Sequence, residues 1–379
     1  MDFLVIFFHQ VSTYFVRGYS CHAYSSRRTF ARRQCRLWMG LLKENSGAER
    51  IPNWGTDVMK RVVIDTDAGV DDALALILAL RSPELHVEAI TTVSGNVHVD
   101  LCTDNVLRVL DVLEMEAPPV AKGEADPLVK PLVTAPEVHG ADGLGGLHSL
   151  MEETGALKYA KPAGSPIPVP AFELLADLAD RHAGDISLIT IGPLTNVAKA
   201  ILEHPNRMTG FKEVICMGGA FRAYGNTTPV AEFNIFVDPH AAQVVLDSGI
   251  PLTFVPLDVT EQICLEMGHI VKEIRPLGTK LSRFVSDVTC GYVRYHMRTE
   301  SFPGCYLHDP LAVGVAIDPT FCGVQEGFVQ IETAAGITTG MTVCDLRPRP
   351  LTSEPPNARI CTTVEANRFF GFFLDRLRG

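Results

Sequence analysis

Four aspartates crowd one short stretch of the chain, Asp65-Thr66-Asp67-Ala68-Gly69-Val70-Asp71-Asp72. A β-type apolar run at 62–64 precedes it and an apolar helical pattern follows, so the acids occupy a strand-to-helix corner. Carboxylates this close repel one another, and the positive end of a helix offsets only ~0.3–1 kcal/mol per charge. A bound cation relieves the repulsion more fully. Hard oxygen donors without a neighbouring Cys or His favour Ca²⁺ or Mg²⁺ over zinc. An EF-hand is excluded, because loop position twelve counted from Asp65 is Leu76 where that site needs a bidentate Glu. A phosphatase of the haloacid dehalogenase type also opens on strand-Asp-x-Asp, although Gly69 stands where such enzymes carry Thr. One aspartate at a helix start is as readily a solvated cap as a ligand; the full cluster is not.

The elements that must position these acids follow from hydrophobic periodicity. Apolar β-like runs at 62–64, 87–93 and 186–191 alternate with helical patterns at 71–80, 103–113 and 195–202. A strand at 213–217, a helix at 238–248 and a strand at 252–255 continue the series. Such alternation predicts βαβ units, giving an α/β fold with a mixed, mainly parallel sheet flanked by helices. Ligands in these sheets bind beyond the carboxyl ends of the strands, which is where the acidic corner lies. Loops are expected at 118–148 and at 160–170, mostly helical structure at 268–305, a mixed region at 328–360 and an amphipathic helix at 366–377. The simplest parse is one domain over residues 60–379.

Charge divides the chain. Residues 1–60 hold 9 Lys and Arg against 4 Asp and Glu, whereas the whole chain holds 33 against 44 and a net charge of −11. An acidic body argues against nucleic acid as a partner, since nonspecific affinity comes from basic side chains on phosphates. The ten cysteines form no C-x-x-C pair, and no apolar run reaches the ~20 residues that span a bilayer. A soluble, cytoplasmic body with reduced thiols is expected. Residues 1–59 form a basic, Arg- and Ser-rich leader that is acid-poor, as organellar transit peptides are. A gene-model extension, with Met39 or Met59 the true start, explains it equally well.

Four further segments end apolar runs in polar, turn-forming residues: 91–96 (TTVSGN), 191–196 (IGPLTN), 217–234 with Gly225-Asn226 and Glu232-Phe233-Asn234, and Tyr306-Leu307-His308-Asp309-Pro310. Each is weak alone. With the acidic corner, and in this order, the set resembles the nucleoside hydrolase family, the inosine-uridine-preferring type of nucleoside N-ribohydrolase, from about Arg61 to the C-terminus. The resemblance implies a single α/β domain, a small ribonucleoside as partner and a homodimer or homotetramer. It implies Ca²⁺ held by Asp67, Asp72, Asp309 and the carbonyl of Ile191, with Asp71 as the base that deprotonates the attacking water. Asn96, Asn226, Glu232, Asn234 and Asp309 would hold the ribose, Met217 and Phe233 would line the sugar pocket, and His308 would stand near the departing base. Ala68 and Ile191 depart from the family's usual Pro and Thr, the first loosening the turn slightly.

The chemistry agrees with that set. Cleavage of an N-glycosidic bond passes through an oxocarbenium-like sugar, which calls for anionic surroundings, an activated water and help for the leaving base. Bland alternatives accompany some residues. Asn226-Thr227-Thr228 is formally a glycosylation sequon, Met217 and Phe233 are also plausible core residues, and His308 is also a plausible helix cap. His139, in a Gly-rich loop at 138–146, resembles a family loop near the base. Base preference depends on that loop and on 289–306, with Tyr292, Tyr295, His296 and Tyr306. A nucleoside-binding protein without turnover is the competing class.

Overall fold

The structure, a computed structural model, describes residues 59–378. The leader predicted at 1–59 therefore lies outside the described residues, except for Met59. Strands β1 (Lys60–Thr66), β2 (Leu85–Thr92), β3 (Val120–Lys122), β4 (Ile186–Thr190), β5 (Glu213–Met217) and β6 (Leu252–Val255) run parallel in the spatial order 3-2-1-4-5-6. Two short antiparallel ribbons stand apart from this sheet: β7 (Cys264–Glu266) with β8 (Gly304–Tyr306), and β10 (Val329–Ile331) with β11 (Thr342–Cys344). Strand β9 (Cys322–Gly327) runs antiparallel to β12 (Ala358–Val364), which joins β6 in parallel and completes eight strands. The sheet is mixed and mainly parallel, as the alternating pattern predicts.

Helices cover both faces because side chains in β1 alternate. Val62 and Ile64 pack with α1 (Val70–Leu80), α2 (Val99–Leu113), α6 (Lys280–Thr299), α7 (His308–Ile317) and α8 (Ala366–Arg378). Val63 faces the opposite layer, with α3 (Ala171–Arg181), α4 (Thr195–Glu203) and α5 (Pro239–Asp247). Helix α1 is apolar on nearly every side and buried from Val70 to Ala79, which suits a helix wedged between sheet and outer helices.

Strand order reverses between β1 and β4, so the chain leaves β1 toward one side and β4 toward the other. A crevice opens at such a switch point. Asp65 stands in register with Thr91 on one neighbour and Thr190 on the other, placing the acidic corner at the mouth of that crevice.

Some expectations need correction. Strand β3 lies inside the segment 118–148 predicted as loop; three residues are too few to show a period. The segment 268–305 is mostly helical as expected, and the β7–β8 ribbon only brackets it, with β8 starting at Gly304. Helix α2 begins at Val99, four residues before the predicted start, because the His98 ring accepts from the Asp100 N–H and caps it there. Among the described residues no helix is long and apolar enough to cross a membrane.

Candidate active site

The corner after β1 is held by its own hydrogen bonds. The Thr66 hydroxyl donates to Asp72 Oδ1 at 2.5 Å, and the Gly69 N–H donates to Asp72 Oδ2 at 2.8 Å. Ala68 adopts φ +40°, a left-handed turn that a proline ring cannot enter, and its carbonyl accepts from Asn105 Nδ2 at 3.0 Å. The Asn105 bond helps to hold this turn in place. A Cβ at Gly69 would fall 2.5 Å from Asn96 Nδ2 and 2.7 Å from His139 Nδ1, so any larger residue must displace one of those side chains. Asn96 ties the next strand's loop to the corner: its N–H donates to Asp67 Oδ2 at 2.7 Å and its Nδ2 to Asp72 Oδ2 at 3.1 Å.

Asp71, Asp72 and Asp309 converge, each offering an oxygen within 4.8 Å of the others, and all three are buried. Asp309 arrives from the first turn of α7, so its approach to the corner is set by packing of α7 against α1. Asp67 joins this group through a side-chain contact with Asp72, and its Oδ1 is buried without a hydrogen-bond partner. Ile191, after β4, has its carbonyl 3.5 Å from Asn234 Nδ2. Burial, followed by repulsion from neighbouring carboxylates, holds Asp67, Asp71 and Asp309 well above the usual carboxylate range. Burial also raises Asp72, against hydrogen bonds from Thr66 and Gly69 that favour its ionised form.

No Lys or Arg among the described residues forms an ion pair with Asp67, Asp71, Asp72 or Asp309; the His139 ring stands 3.8 Å from Asp71. Buried carboxylates without a counter-charge are strongly disfavoured. The unpartnered Asp67 oxygen, the converging trio and an oxygen-only donor set fit a hard divalent cation.

A cleft of about 420 Å³ opens above this floor. Asp71, Asn96, Met217, Asn226, Phe233, Asn234, His308 and Asp309, all expected at the site, line it together. Asn234 Nδ2 donates to the Met217 carbonyl at 3.2 Å, and Asn226 Oδ1 accepts from the Phe233 N–H at 2.9 Å. Glu232 lies behind the wall rather than on it. Its carboxylate caps the short helix Phe233–Val237, accepting the N–H groups of Asn234, Ile235 and Gly219.

Two histidines line the cleft. His139 Nδ1 accepts the Val70 N–H at 3.2 Å, so its hydrogen sits on Nε2. His308 Nδ1 lies 2.8 Å from the Thr260 hydroxyl. Burial lowers both rings to about 3, leaving them neutral near pH 7. The far wall carries Tyr292, Tyr295, His296, Glu300 and Tyr306, together with Glu261, which burial and the charge of Glu300 push up to about 7.

Glu261, Glu300, Thr260 and Asn105 escaped the sequence reading. None sits in a local cluster that signals chemistry; the tertiary fold alone brings Glu261 and Glu300 to the cleft, Thr260 to His308 and Asn105 to the Ala68 carbonyl. Asn196, read only as the end of a turn motif, donates to Asp65 Oδ1 at 2.7 Å. Asp65 also accepts from the Thr91 hydroxyl at 2.5 Å, is fully buried and does not line the cleft. That location removes the phosphatase reading, which requires Asp65 to attack substrate. A second cavity of about 480 Å³ lies at the opposite strand ends, lined by Lys60, Arg61, Lys212 and Arg359 among others. It is the larger of the two, yet among the described residues no acids converge there, and the chemistry belongs to the smaller cleft.

Known proteins agree with the geometry. The family model described as inosine-uridine preferring nucleoside hydrolase matches residues 62–371. The pyrimidine-specific ribonucleoside hydrolase RihA of Salmonella gallinarum is 38% identical over 318 residues, covering 84% of this chain and 98% of that protein. A plant nucleoside hydrolase structure superposes with a TM-score of 0.77 at 32% identity, covering 85% of this chain and 100% of its own. The purine-preferring ribonucleoside hydrolase from Gardnerella vaginalis superposes with a TM-score of 0.77 at 31% identity, covering 84% and 98%. The chain belongs to the inosine-uridine preferring nucleoside hydrolase family and is a nucleoside N-ribohydrolase.

Proposed function

We propose that the protein hydrolyses the N-glycosidic bond of ribonucleosides in a Ca²⁺-dependent reaction, releasing free base and ribose. The observation that carries this reading is the convergence of Asp71, Asp72 and Asp309 beside the unpartnered Asp67 oxygen at the floor of a nucleoside-sized cleft. Asp67, Asp72, Asp309 and the Ile191 carbonyl would hold the ion. When bound, Ca²⁺ would lower the pKa of the attacking water and grip the ribose diol.

Asp71 lines the cleft beside these ligands and is the base that takes the proton from that water. Asn96, Asn226 and Asn234 offer amides to the ribose hydroxyls, with Asp309 accepting from one of them. Glu232 acts from behind by fixing the backbone of Asn234, and Met217 and Phe233 cover the sugar. His308, neutral and buried, faces the departing base with the nitrogen that Thr260 does not occupy.

The cleft lining includes Asp71, Glu137, Glu261, Glu300 and Asp309 and no Lys or Arg. A substrate phosphate would find no basic side chain among the described lining residues, which favours nucleosides over nucleotides. The family resemblance also supports a homodimer or homotetramer; a mass of 41.3 kDa by light scattering, that of one chain, would contradict it. The basic leader at 1–59 reads as a transit peptide or as a gene-model extension.

The test is free-ribose release from uridine, inosine, adenosine and xanthosine, with and without EGTA. Release that stops with chelator and returns with Ca²⁺ supports the proposal. Tight riboside binding with no ribose released would favour a binding protein.

A further inference from the structure

The wall facing the base is organised around one histidine. His296, on α6, is only 4% exposed and sits among aromatic rings, with centroids at 4.6 Å to Tyr292, 5.1 Å to Tyr306 and 5.3 Å to Tyr295. Glu300, one helical turn further, meets His296 Nδ1 with Oε1 at 3.0 Å and accepts the Tyr306 hydroxyl on Oε2 at 2.9 Å. A carboxylate only accepts, so the hydrogen shared with the ring belongs to Nδ1. Burial lowers the pKa of the ring, against the opposing charge of Glu300, which keeps it neutral. Nε2 is then a bare lone pair. It is buried and has no partner among the described residues, although the residue lines the cleft.

We infer that Glu300 fixes His296 as a hydrogen-bond acceptor, so that the base end of the cleft selects nucleosides whose base carries an N–H on the edge away from the sugar. An unpartnered buried acceptor is costly, and a base N–H that fills it gains a bond that a blocked base cannot make. His296 is the recognising group; Glu300 is a positioning residue acting through it, and Tyr306 steadies the second carboxylate oxygen. The inference rests on the nucleoside-hydrolase reading of the same cleft and adds what the cleft requires of the base.

The experiment compares uridine with N3-methyluridine, and inosine with N1-methylinosine, in the full-length protein, in His296→Phe and in Glu300→Gln. The first variant keeps the ring and removes the lone pair. The second is on an exposed side chain, and its amide can donate to Nδ1, which frees the other tautomer. In the parent protein, methylation should lower kcat/KM by tenfold or more for the pair that is turned over. In both variants that penalty should shrink to threefold or less. A merely structural role for Glu300 would slow both members of a pair equally and leave the ratio unchanged. Equal use of both members by the parent, or a full penalty in both variants, overturns the inference and leaves the function intact. If no nucleoside is hydrolysed, the function itself fails, and the same ratios measured as dissociation constants by calorimetry still decide the role of His296.

Discussion

Floor and wall line the same cleft but are built from different materials. At the floor, backbone N–H groups and short side chains fix the carboxylates: Gly69 and Thr66 on Asp72, Asn96 on Asp67. At the wall, rings of α6 and β8 pack on one another and direct hydrogen bonds are few. Oxygen atoms held by main chain suit a reaction that depends on position; a wall of rings with one fixed histidine suits a surface that discriminates bases. Changes at the floor should therefore reduce turnover for every substrate, whereas changes at the wall should alter the ranking of substrates.

The largest break is expected at the floor. Asp71→Ala should lower kcat for ribose release by about a thousand-fold while riboside binding, read by calorimetry, persists. Near-normal turnover would remove Asp71 from the mechanism. Gly95→Ala tests how tightly the floor is set, because a Cβ there would fall 2.1 Å from Asp67 Oδ2. Cation affinity and activity should both fall, by about 10–100-fold. Unchanged affinity in a calcium titration would mean that Asp67 is not a ligand.

Between floor and wall stands His308, oriented by Thr260. Thr260→Val should lower kcat about tenfold, the loss of one hydrogen bond, and leave KM nearly unchanged. A riboside with an activated leaving group, such as 4-nitrophenyl riboside, needs no proton and should be spared. Equal loss on that substrate would contradict an orienting role.

The smallest effect is on stability, and its sign separates the floor carboxylates from the two histidines beside them. Without cation, the raised Asp67, Asp71 and Asp309 keep protons in the folded chain that the unfolded chain releases above 3.8. Their contribution therefore declines as pH rises through the folded values. His139 and His308, lowered from 6.5 to about 3, act oppositely: their contribution is present above 6.5 and is lost as pH falls toward 3. Added Ca²⁺ should accordingly raise Tm more at pH 8 than at pH 6. An equal or reversed difference in scanning calorimetry would show that the acids are not what the ion meets.

The same contrast explains what the sequence disclosed. Asp65 to Asp72 lie within eight residues, and strand-turn-helix patterning places them on one corner without knowledge of the rest. His308-Asp309 opens an apolar helix, a local signal that the fold then carries to the corner through α1–α7 packing. Glu261, Glu300 and Thr260 have no such marker, since their roles come from neighbours distant in sequence, as in the 48-residue separation of Thr260 and His308. Strand β3 was hidden by its length, and the left-handed turn at Ala68 because alanine does not announce it.

The most direct test of the central claim is a calcium titration of chelator-stripped protein with ribose release followed in parallel. Binding of one Ca²⁺ per chain, with activity returning in proportion to occupancy, is the predicted result. Full activity in stripped protein that binds no divalent ion would contradict it.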